Sequence, residues 1–535
     1  MMALTAQQIT EILADQDLLI STPEFKGELK HLAYNSNDVA PETLLFIKGR
    51  FKAEYLTDAI AKGVKAIVAP TSFTHDTDLP TWVVDDVPAA MSVLSMAFYD
   101  YPQNKLALIG ITGTKGKTSA TYMAYEMLRV ATDDKVALSS TLQVITGADP
   151  KFHYRAHLTT PESLDLFRWM AEAVANGMTH MVMEVSSQAY KMERVYGLRF
   201  NVGIFLNISP DHVGENEHPT FEDYLEHKMM LFDHSEQIIL NADSDHFSEL
   251  IEHAELAVPR DGIWLYGRED EDSPKADVYY DTVEADLQGS TFAVREAGQQ
   301  AARLGIAGDY HLDMPGDFNQ GNAVAAMIAT RLVGADTDAM HEGLEVVKIP
   351  GRMQVLTTQN HGTIYVDYAH NYASIAALLN FVRTNETVEK LTIVVGAPGN
   401  KGVSRRPGIG QAVSEGADVV YLTSDDPQFE DPNAIADEIQ AAITNDHVVI
   451  NREMDRTIAI TEAIEAAGPN DVVVLAAKGL DEYQKIGGVD TPYENDWAVA
   501  QRVVSELEAL FLKQIFAIIN RIAVVTAIFC VTNNK

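Results

Sequence analysis

Residues 106–128 read LALIGITGTKGKTSATYMAYEML and decide the fold of the segment around them. The apolar run LALIGIT predicts a buried strand, and the apolar spacing after Lys117 predicts a helix. Between them lies a glycine-rich turn, residues 113–116. A strand, turn and helix in this order direct backbone N–H groups and a helix N-terminus at one point, which suits an anion. The stretch therefore predicts a phosphate-binding loop in an α/β fold.

The side chains of this loop indicate a nucleotide. Lysine can reach the β- and γ-phosphates from position 117, and the Thr118 hydroxyl can ligate magnesium. The common phosphate-loop pattern has glycine where Ile111 stands, so a simple tight turn is the alternative reading. A lysine and a hydroxyl together at a helix start favour the nucleotide. We predict ATP binding by Gly113, Thr114, Lys115, Gly116, Lys117, Thr118 and Ser119.

Composition narrows the classes of partner. Acidic residues number 77 and basic residues 40, which gives a formal charge of -37 that repels nucleic acid and anionic membranes. The single cysteine, Cys530, excludes an intramolecular disulfide. The start, MMALTAQQITEILADQ, lacks the pattern of a signal peptide. We expect a cytoplasmic monomer that acts on small molecules.

The length of 535 residues exceeds one hydrophobic core, which stops growing at roughly 250–300 residues. Short apolar runs ending in polar residues alternate with helical patterns along most of the chain. We predict domains at 1–102, 103–348 and 349–512, followed by an apolar extension at 513–535. Within it, residues 515–531 are interrupted by Asn520 and Arg521, which favours a terminal amphipathic or partly buried helix over a membrane span.

The loop GTKGKT resembles the nucleotide loop of Mur ligases and folylpolyglutamate synthetases, and the resemblance extends over most of residues 36–500. The matching motifs are TTPES (159–163), EVSS (184–187), NISPDH (207–212), FEDYLEHKMMLF (221–232), GDFNQGN (316–322), PGRMQ (350–354), DYAHN (367–371) and KGLDEYQ (478–484). Their order is similar to that of the MurE-type branch. The resemblance implies three α/β domains with a central, mostly parallel sheet and a Rossmann-like C-terminal domain. It also implies an ATP-dependent ligase that joins a carboxylate to an amine through an acyl phosphate.

An acyl phosphate forms only when cations separate two anions, the carboxylate and the γ-phosphate. The resemblance implies a catalytic set of Lys117, Glu184, His212 and Lys228. Glu184 and Thr118 would hold one magnesium ion, and His212 would help to hold a second. Lys228 would be carbamylated by carbon dioxide and support the metal site. Without the resemblance, an exposed lysine and a core histidine are the ordinary readings.

Further nucleotide and substrate contacts are implied in the same way. Asn319 and Asn322 match positions near adenine, Arg352 a phosphate contact and Asp367 a ribose contact, with helix capping the alternative for the asparagines. The residues that match contacts to a UDP-muramoyl peptide are Ser36, Thr159, Thr160, Ser186 and Arg194. Ser36 lies in Asn-Ser-Asn instead of the usual Asp-Ser-Arg, and Met192 replaces a frequent glutamine, so a plain turn at Ser36 stays an alternative.

The added amino acid is predicted from one tetrapeptide. Relatives that add meso-diaminopimelate carry Asp-Asn-Pro-Arg, whose arginine can grip a second carboxylate. This chain has Asp425, Asp426, Pro427 and Gln428 there. An acidic site suits a side-chain ammonium, and Asp481 could also meet it, while Arg406 matches an arginine for the α-carboxylate. We predict L-lysine, with L-ornithine and meso-diaminopimelate as alternatives.

The predicted reaction has two steps: ATP phosphorylates the D-glutamate γ-carboxylate of UDP-N-acetylmuramoyl-L-alanyl-D-glutamate, and the α-amine of lysine then displaces phosphate. Two other hypotheses stay open. One is a nucleotide-binding relative that has lost ligation. The other is a ligase of the same superfamily that acts on another acid, such as a folate.

Overall fold

The computed structural model describes most of the chain, namely residues 3–49, 51–73, 77–210, 214, 218–269, 275–285, 289–314, 318–384, 388–511 and 513. The chain divides into two compact units, with the boundary between Lys348 and Ile349. His212 and the apolar stretch 515–531 lie outside the described residues, so the predictions made for them stay predictions.

The first unit begins with a five-stranded sheet, ordered β2-β7-β6-β5-β4, and a small β1-β3 pair. The elements are β1 (Leu4–Thr5), α1 (Ala6–Asp15), β2 (Leu19–Ser21), β3 (Glu28–Leu29), β4 (His31–Ala33), β5 (Thr43–Phe46), α2 (Ala53–Ala61), β6 (Val64–Pro70), β7 (Thr81–Val84) and α3 (Val87–Phe98). Helix α3 is apolar on nearly all sides, so it is buried along its length.

The same unit continues with an 11-stranded sheet. Its elements are β8 (Ala107–Thr112), α4 (Lys117–Ala131), β9 (Val136–Ser139), β10 (Gln143–Ile145), β11 (His153–Arg155), α5 (Ser163–Ala175), β12 (His180–Glu184), α6 (Ser187–Lys191), β13 (Phe200–Phe205), α7 (Phe221–Asp233), β14 (Ser235–Asn241), α8 (Phe247–Ala257), β15 (Ile263–Gly267), β16 (Val278–Ala285), β17 (Ser290–Glu296), α9 (Gly298–Ala301), β18 (Gly308–Leu312), α10 (Phe318–Leu332) and α11 (Thr337–Val346).

The order of this sheet is β11-β10-β9-β12-β8-β13-β14-β15-β16-β17-β18. Strands from β9 to β16 in that order are parallel, and antiparallel strands extend both edges. The predicted central, mostly parallel sheet is confirmed. Because β8 lies between β12 and β13, the carboxyl ends of these three strands meet at one edge, where ligands bind in such sheets.

The second unit has a six-stranded sheet, ordered β19-β20-β24-β21-β22-β23, in which only β19 is antiparallel. Its elements are β19 (Gln354–Thr357), β20 (Thr363–Asp367), α12 (Tyr372–Arg383), β21 (Leu391–Val395), α13 (Arg405–Gly416), β22 (Val419–Leu422), α14 (Pro432–Ala441), β23 (Val449–Arg452), α15 (Arg456–Glu465), β24 (Val472–Ala476) and a hairpin of β25 (Tyr483–Ile486) and β26 (Val489–Pro492). A further helix begins at residue 496 and is described to 511. The predicted Rossmann-like unit is confirmed.

Short 3-10 helices occur at Ser36–Asp38, Pro102–Lys105, Pro150–Phe152 and Arg260–Gly262. The five-stranded and 11-stranded sheets are separate in hydrogen bonding, and the division of the first unit near residue 102 stays a prediction. Among the described residues, no helix is both long enough and apolar enough to cross a membrane.

Candidate active site

The phosphate loop lies between β8 and α4. Gly113 has φ 153° and Gly116 has φ 82°, a region that favours glycine. A Cβ on Gly116 would come within 2.4 Å of the Asn322 Oδ1 atom, so the loop approaches helix α10 too closely for a side chain. The Asn322 amide donates to the Asn319 Oδ1 atom at 3.3 Å. Both predicted adenine-side asparagines thus lie on the first turns of a helix beside the loop.

Asn207, which follows β13, holds the loop from the neighbouring strand. Its carbonyl accepts from the Thr114 N–H at 3.0 Å, and its side chain bonds both the N–H and the carbonyl of Lys115, at 2.9 and 3.1 Å. The Lys117 ammonium donates to the Gly113 and Thr114 carbonyls at 2.8 and 3.2 Å. The loop is therefore preformed. Sequence reasoning did not single out Asn207, although it opens the motif NISPDH.

Glu184, the last residue of β12, is a fully buried carboxylate beside the loop. Its Oε1 atom accepts from the Thr118 hydroxyl at 2.9 Å, and both its oxygens accept from Thr141, from the N–H at 2.8 Å and from the hydroxyl at 3.0 Å. Among the described residues, no basic side chain lies within ion-pair distance of it. A carboxylate surrounded by hydroxyls is a hard oxygen donor set, so these residues fit magnesium.

Lys228, on α7, is 2% exposed and reaches the start of the loop. Its ammonium donates to the Gly113 carbonyl at 2.8 Å and lies 3.4 Å from the Thr112 hydroxyl. It also lies 4.8 Å from the centre of the Tyr224 ring. The structure therefore brings Lys117, Thr118, Glu184 and Lys228 to one loop, and the catalytic and metal roles predicted for them stay predictions.

A second buried network connects α6 to α7, and the sequence had not indicated it. The His218 ring bonds the Asp223 carboxylate at 2.6 Å and the Ser187 hydroxyl at 2.9 Å. Burial lowers the pKa of His218 although Asp223 opposes this. His218, Asp223 and His227 have metal-ligand spacing. The Lys191 ammonium already pairs with Asp223 at 2.8 Å and would repel a cation, so we read the network as structural.

Three of the five predicted muramoyl contacts lie near Glu184, at the end of β12. The Thr160 hydroxyl donates to the Glu184 carbonyl at 3.0 Å and accepts from the Ser186 N–H at 3.0 Å. The Thr159 hydroxyl lies 3.1 Å from that of Thr141. Two hydroxyls and a helix-capping serine thus line the same strand end as the buried carboxylate.

The other two predicted substrate contacts, Arg194 and Ser36, already have hydrogen-bond partners within the protein. The Arg194 guanidinium donates to the Glu162 carboxylate at 3.3 Å, and Lys48 pairs with the same carboxylate. Ser36 is buried in a 3-10 turn, and its carbonyl accepts from the Lys62 ammonium at 3.0 Å. A turn role for Ser36 accounts for its position, and its uridine contact stays a prediction.

In the second unit, Arg352 and Asp367 lie close together. Their side chains are 3.8 Å apart, and the guanidinium also stands 5.3 Å from the centre of the Tyr368 ring. The Asp367 carboxylate accepts from the backbone N–H groups of Met353 and Ala369 at 2.9 and 2.8 Å. Burial raises the pKa of Asp367, which Arg352 and these bonds oppose.

The predicted amino-acid site is a cluster that we call the acidic pocket: Asp425, Asp426, Asp481 and, in addition, Lys478. The Lys478 ammonium donates to Asp426 at 2.7 Å and to Asp481 at 3.2 Å, and it lies 3.9 Å from Asp425. Its side chain is 1% exposed. Lys478 opens the motif KGLDEYQ, but the sequence alone had suggested no role for it.

Backbone strain marks the same pocket. Asp426 and Gln428, on either side of Pro427, have φ values of 47° and 56°, and Ala477 has φ 85°. Non-glycine residues in this region cost on the order of 1–3 kcal/mol, and they gather at functional sites. The turn is held by the Gln428 N–H, which donates to the Lys485 carbonyl at 2.8 Å.

Arg406 lies on α13 and is 1% exposed. Its guanidinium pairs with Glu430 at 2.9 Å and with Glu438 at 3.1 Å, and it also donates to the Pro398 carbonyl at 3.1 Å. Its role in binding lysine stays a prediction.

Two family models match the chain. The Mur ligase middle domain covers residues 111–330, and the Mur ligase, glutamate ligase domain covers residues 351–479. A UDP-N-acetylmuramyl-tripeptide synthetase of Ligilactobacillus salivarius (strain UCC118) is 47% identical over 510 residues, which are 95% of this chain and 100% of the relative. A UDP-N-acetylmuramoyl-L-alanyl-D-glutamate--L-lysine ligase of Enterococcus faecalis (strain ATCC 700802 / V583) is 48% identical over 492 residues, 91% of this chain and 94% of the relative.

Solved structures give the same fold. A UDP-N-acetylmuramoyl-L-alanyl-D-glutamate--2,6-diaminopimelate ligase matches with a TM-score of 0.60 and 25% identity, over 95% of this chain and 100% of that chain. A MurF structure from Acinetobacter baumannii matches with a TM-score of 0.62 and 18% identity, over 95% and 99% of the two chains.

Proposed function

The chain belongs to the Mur ligase family, and on that premise we propose that it adds L-lysine to UDP-N-acetylmuramoyl-L-alanyl-D-glutamate in an ATP-dependent reaction. The observation that carries this proposal is the buried Glu184 carboxylate, bonded to Thr118 at the phosphate loop, with Lys228 at the start of the same loop. Relatives named as tripeptide synthetases and as a lysine ligase support the reaction class.

In the first step, the loop N–H groups and the N-terminus of α4 hold the triphosphate, and the Lys117 ammonium turns from the loop carbonyls to the β- and γ-phosphates. Magnesium, when held by Glu184 and Thr118, supplies the positive charge that lets a carboxylate approach the γ-phosphate. Thr160 and Ser186 would position the D-glutamate carboxylate beside this strand end. The γ-phosphoryl group then passes to that carboxylate.

In the second step, the lysine α-amine attacks the acyl carbon, loses a proton, and phosphate leaves as the amide forms. The acidic pocket would hold the side-chain ammonium of the incoming lysine. Three carboxylates against one ammonium leave the pocket negative, so it attracts a second cation and repels the distal carboxylate of meso-diaminopimelate.

The carbamylation of Lys228 also belongs to this proposal. A bare ammonium beside a magnesium site would repel the metal, whereas a carbamate adds an anion of the kind that metal sites accept. The burial of Lys228 beside the loop supports this assignment. We further propose that the protein works in the cytoplasm as a monomer, which size-exclusion chromatography with light scattering tests.

The experiment measures phosphate release with ATP, magnesium and the UDP-muramoyl dipeptide while L-lysine, L-ornithine and meso-diaminopimelate are varied. We expect turnover that depends on L-lysine and favours it over both others. A preference for ornithine or diaminopimelate would show that the proposed amino acid is wrong and that the proposed type of reaction is right. No turnover with any of the three would contradict ligation of this substrate and favour the nucleotide-binding relative or a different acid.

A further inference from the structure

The acidic pocket contains its own cation, and the fold supplies it from a different strand. Asp425 and Asp426 follow β22, whereas Lys478 follows β24. Between them in the sheet lies β21, followed by Gly396, where a Cβ would come within 2.4 Å of the Thr423 carbonyl. The absence of a side chain there lets the Asp425 loop close over the sheet edge.

The Lys478 ammonium does not bind the three carboxylates of the pocket equally. It makes hydrogen bonds to Asp426 and Asp481, and Asp426 accepts a further bond from the Lys485 N–H at 3.0 Å. Asp425 stands 3.9 Å from the ammonium, beyond hydrogen-bond distance. Two of the three carboxylates are therefore bonded to the internal cation, and Asp425 retains capacity for another donor.

We propose that Lys478 is a positioning residue that sets the charge of the amino-acid pocket: it compensates Asp426 and Asp481, and it leaves Asp425 to receive the side-chain ammonium of the substrate. This inference rests on the proposed function. With Lys478 present, three negative charges and one positive charge give a net charge of -2.

The environment of Asp425 supports this role. Burial raises the pKa of Asp425, and Lys478 is the first of the cations that oppose the rise. Desolvation lowers the pKa of Lys478, but the three carboxylates outweigh it and raise the pKa above its usual value. The other charged neighbours, Arg456 and Asp496, neutralise each other through two bonds of 2.7 Å. Without Lys478, the rise in the pKa of Asp425 would be less opposed, so Asp425 would take up a proton more readily.

The test compares the parent with Lys478→Met and with a double variant, Lys478→Met and Asp426→Asn, in steady-state kinetics from pH 6.5 to 9. In the single variant we expect the KM for L-lysine at pH 7 to rise about tenfold, and the ratio to the parent to fall as pH rises. The sign follows because a further rise in the pKa of Asp425 leaves this carboxyl more protonated at low pH, whereas it is ionised at high pH. The KM for the UDP-muramoyl dipeptide should change by less than about twofold, since that site is in the other unit.

The double variant restores the net charge of -2 with Asp425 and Asp481 alone. We expect it to fold, to return the lysine KM to within about threefold of the parent, and to lose the pH dependence. An unchanged or lowered lysine KM in Lys478→Met, or a rise that does not vary with pH, would overturn the inference. So would failure of the double variant to recover. If the single variant does not fold, the lysine KM of the double variant alone tests the inference. If the parent itself shows no lysine-dependent turnover, the proposed function is contradicted instead.

Discussion

Two buried carboxylate sites in this molecule differ in how their charge is compensated. Glu184, in the first unit, is bonded to hydroxyls and one backbone N–H, with no basic side chain at ion-pair distance among the residues described. The acidic pocket, in the second unit, encloses the Lys478 ammonium. Burying a charge without a counter-charge is costly, so on the proposed function the first site would take its cation from outside, whereas the second site has one in place. On the proposed function, this contrast separates a site for a metal ion from a pocket for an ammonium group.

The largest effect should follow from neutralising the first site. Glu184→Gln keeps the shape and removes the charge, so we expect a loss of kcat on the order of 10³-fold, about 4 kcal/mol. The rise in thermal unfolding temperature caused by magnesium and ATP together should shrink with it. The matched control is Glu126→Gln on α4, which changes only a pair with Arg129. Full activity of Glu184→Gln would mean that the two carboxylate sites do not differ as described.

Lys228→Ala tests whether the first site needs a carbamate. We expect kcat to fall roughly 10²-fold because an anionic support of the metal is lost. Short-chain carboxylic acids should restore part of the rate, since they can occupy the vacated space and supply the missing carboxylate. The same acids added to the parent are the control. A fully active variant, or a loss that no acid rescues, would reject carbamylation.

Asp426→Asn tests the charge compensation in the acidic pocket. It removes the negative charge of one hydrogen-bond partner of the buried Lys478 ammonium but keeps an acceptor oxygen, and Asp481 remains. We expect the free energy of unfolding to drop by about 1–3 kcal/mol, measured by urea denaturation. Asp490→Asn, at an exposed position of β26, should change it by less than about 0.5 kcal/mol. Equal effects of the two substitutions would show that Lys478 is not held by Asp426.

The smallest effect concerns the backbone that directs Lys478. Ala477 has φ 85°, and glycine adopts this conformation without the Cβ penalty, so Ala477→Gly should stabilise the protein by about 1 kcal/mol. Ala476→Gly, one residue earlier in β24, should destabilise it by a similar amount. Urea unfolding midpoints distinguish the two. Destabilisation by both would mean that position 477 is not strained.

Much of the first site followed from local sequence. A strand, a glycine turn and a helix are encoded within residues 106–128, and family motifs pointed to Glu184 and Lys228. Asn207 and Thr141 were missed because they act from neighbouring strands, and no local pattern shows which strands are neighbours. Asn207 could have been found from the sequence, since it is the first residue of the motif NISPDH (207–212). His212 lies outside the described residues, and its metal role stays a prediction.

The second site was predicted with less detail. The sequence indicated an acidic pocket at Asp425 and Asp426 but assigned no role to Lys478, about 50 residues later. It assigned Arg406 to an α-carboxylate, which stays a prediction, but it did not show that Glu430 and Glu438 pair with that guanidinium. A charged residue type shows that a partner is needed, and only the fold shows which partner it meets.

By itself, the sequence determined the α/β class, the glycine turn between β8 and α4 and the acidic character of residues 425–426, because hydrophobic period, glycine positions and charge are local properties. The tertiary structure alone decided that Glu184 has no basic neighbour among the described residues and that Lys478 lies among three aspartates. Those facts depend on strand order, which brings together residues far apart in the chain. Because charges interact more strongly in a buried, low-dielectric site, the presence or absence of a counter-charge then has a large energetic effect.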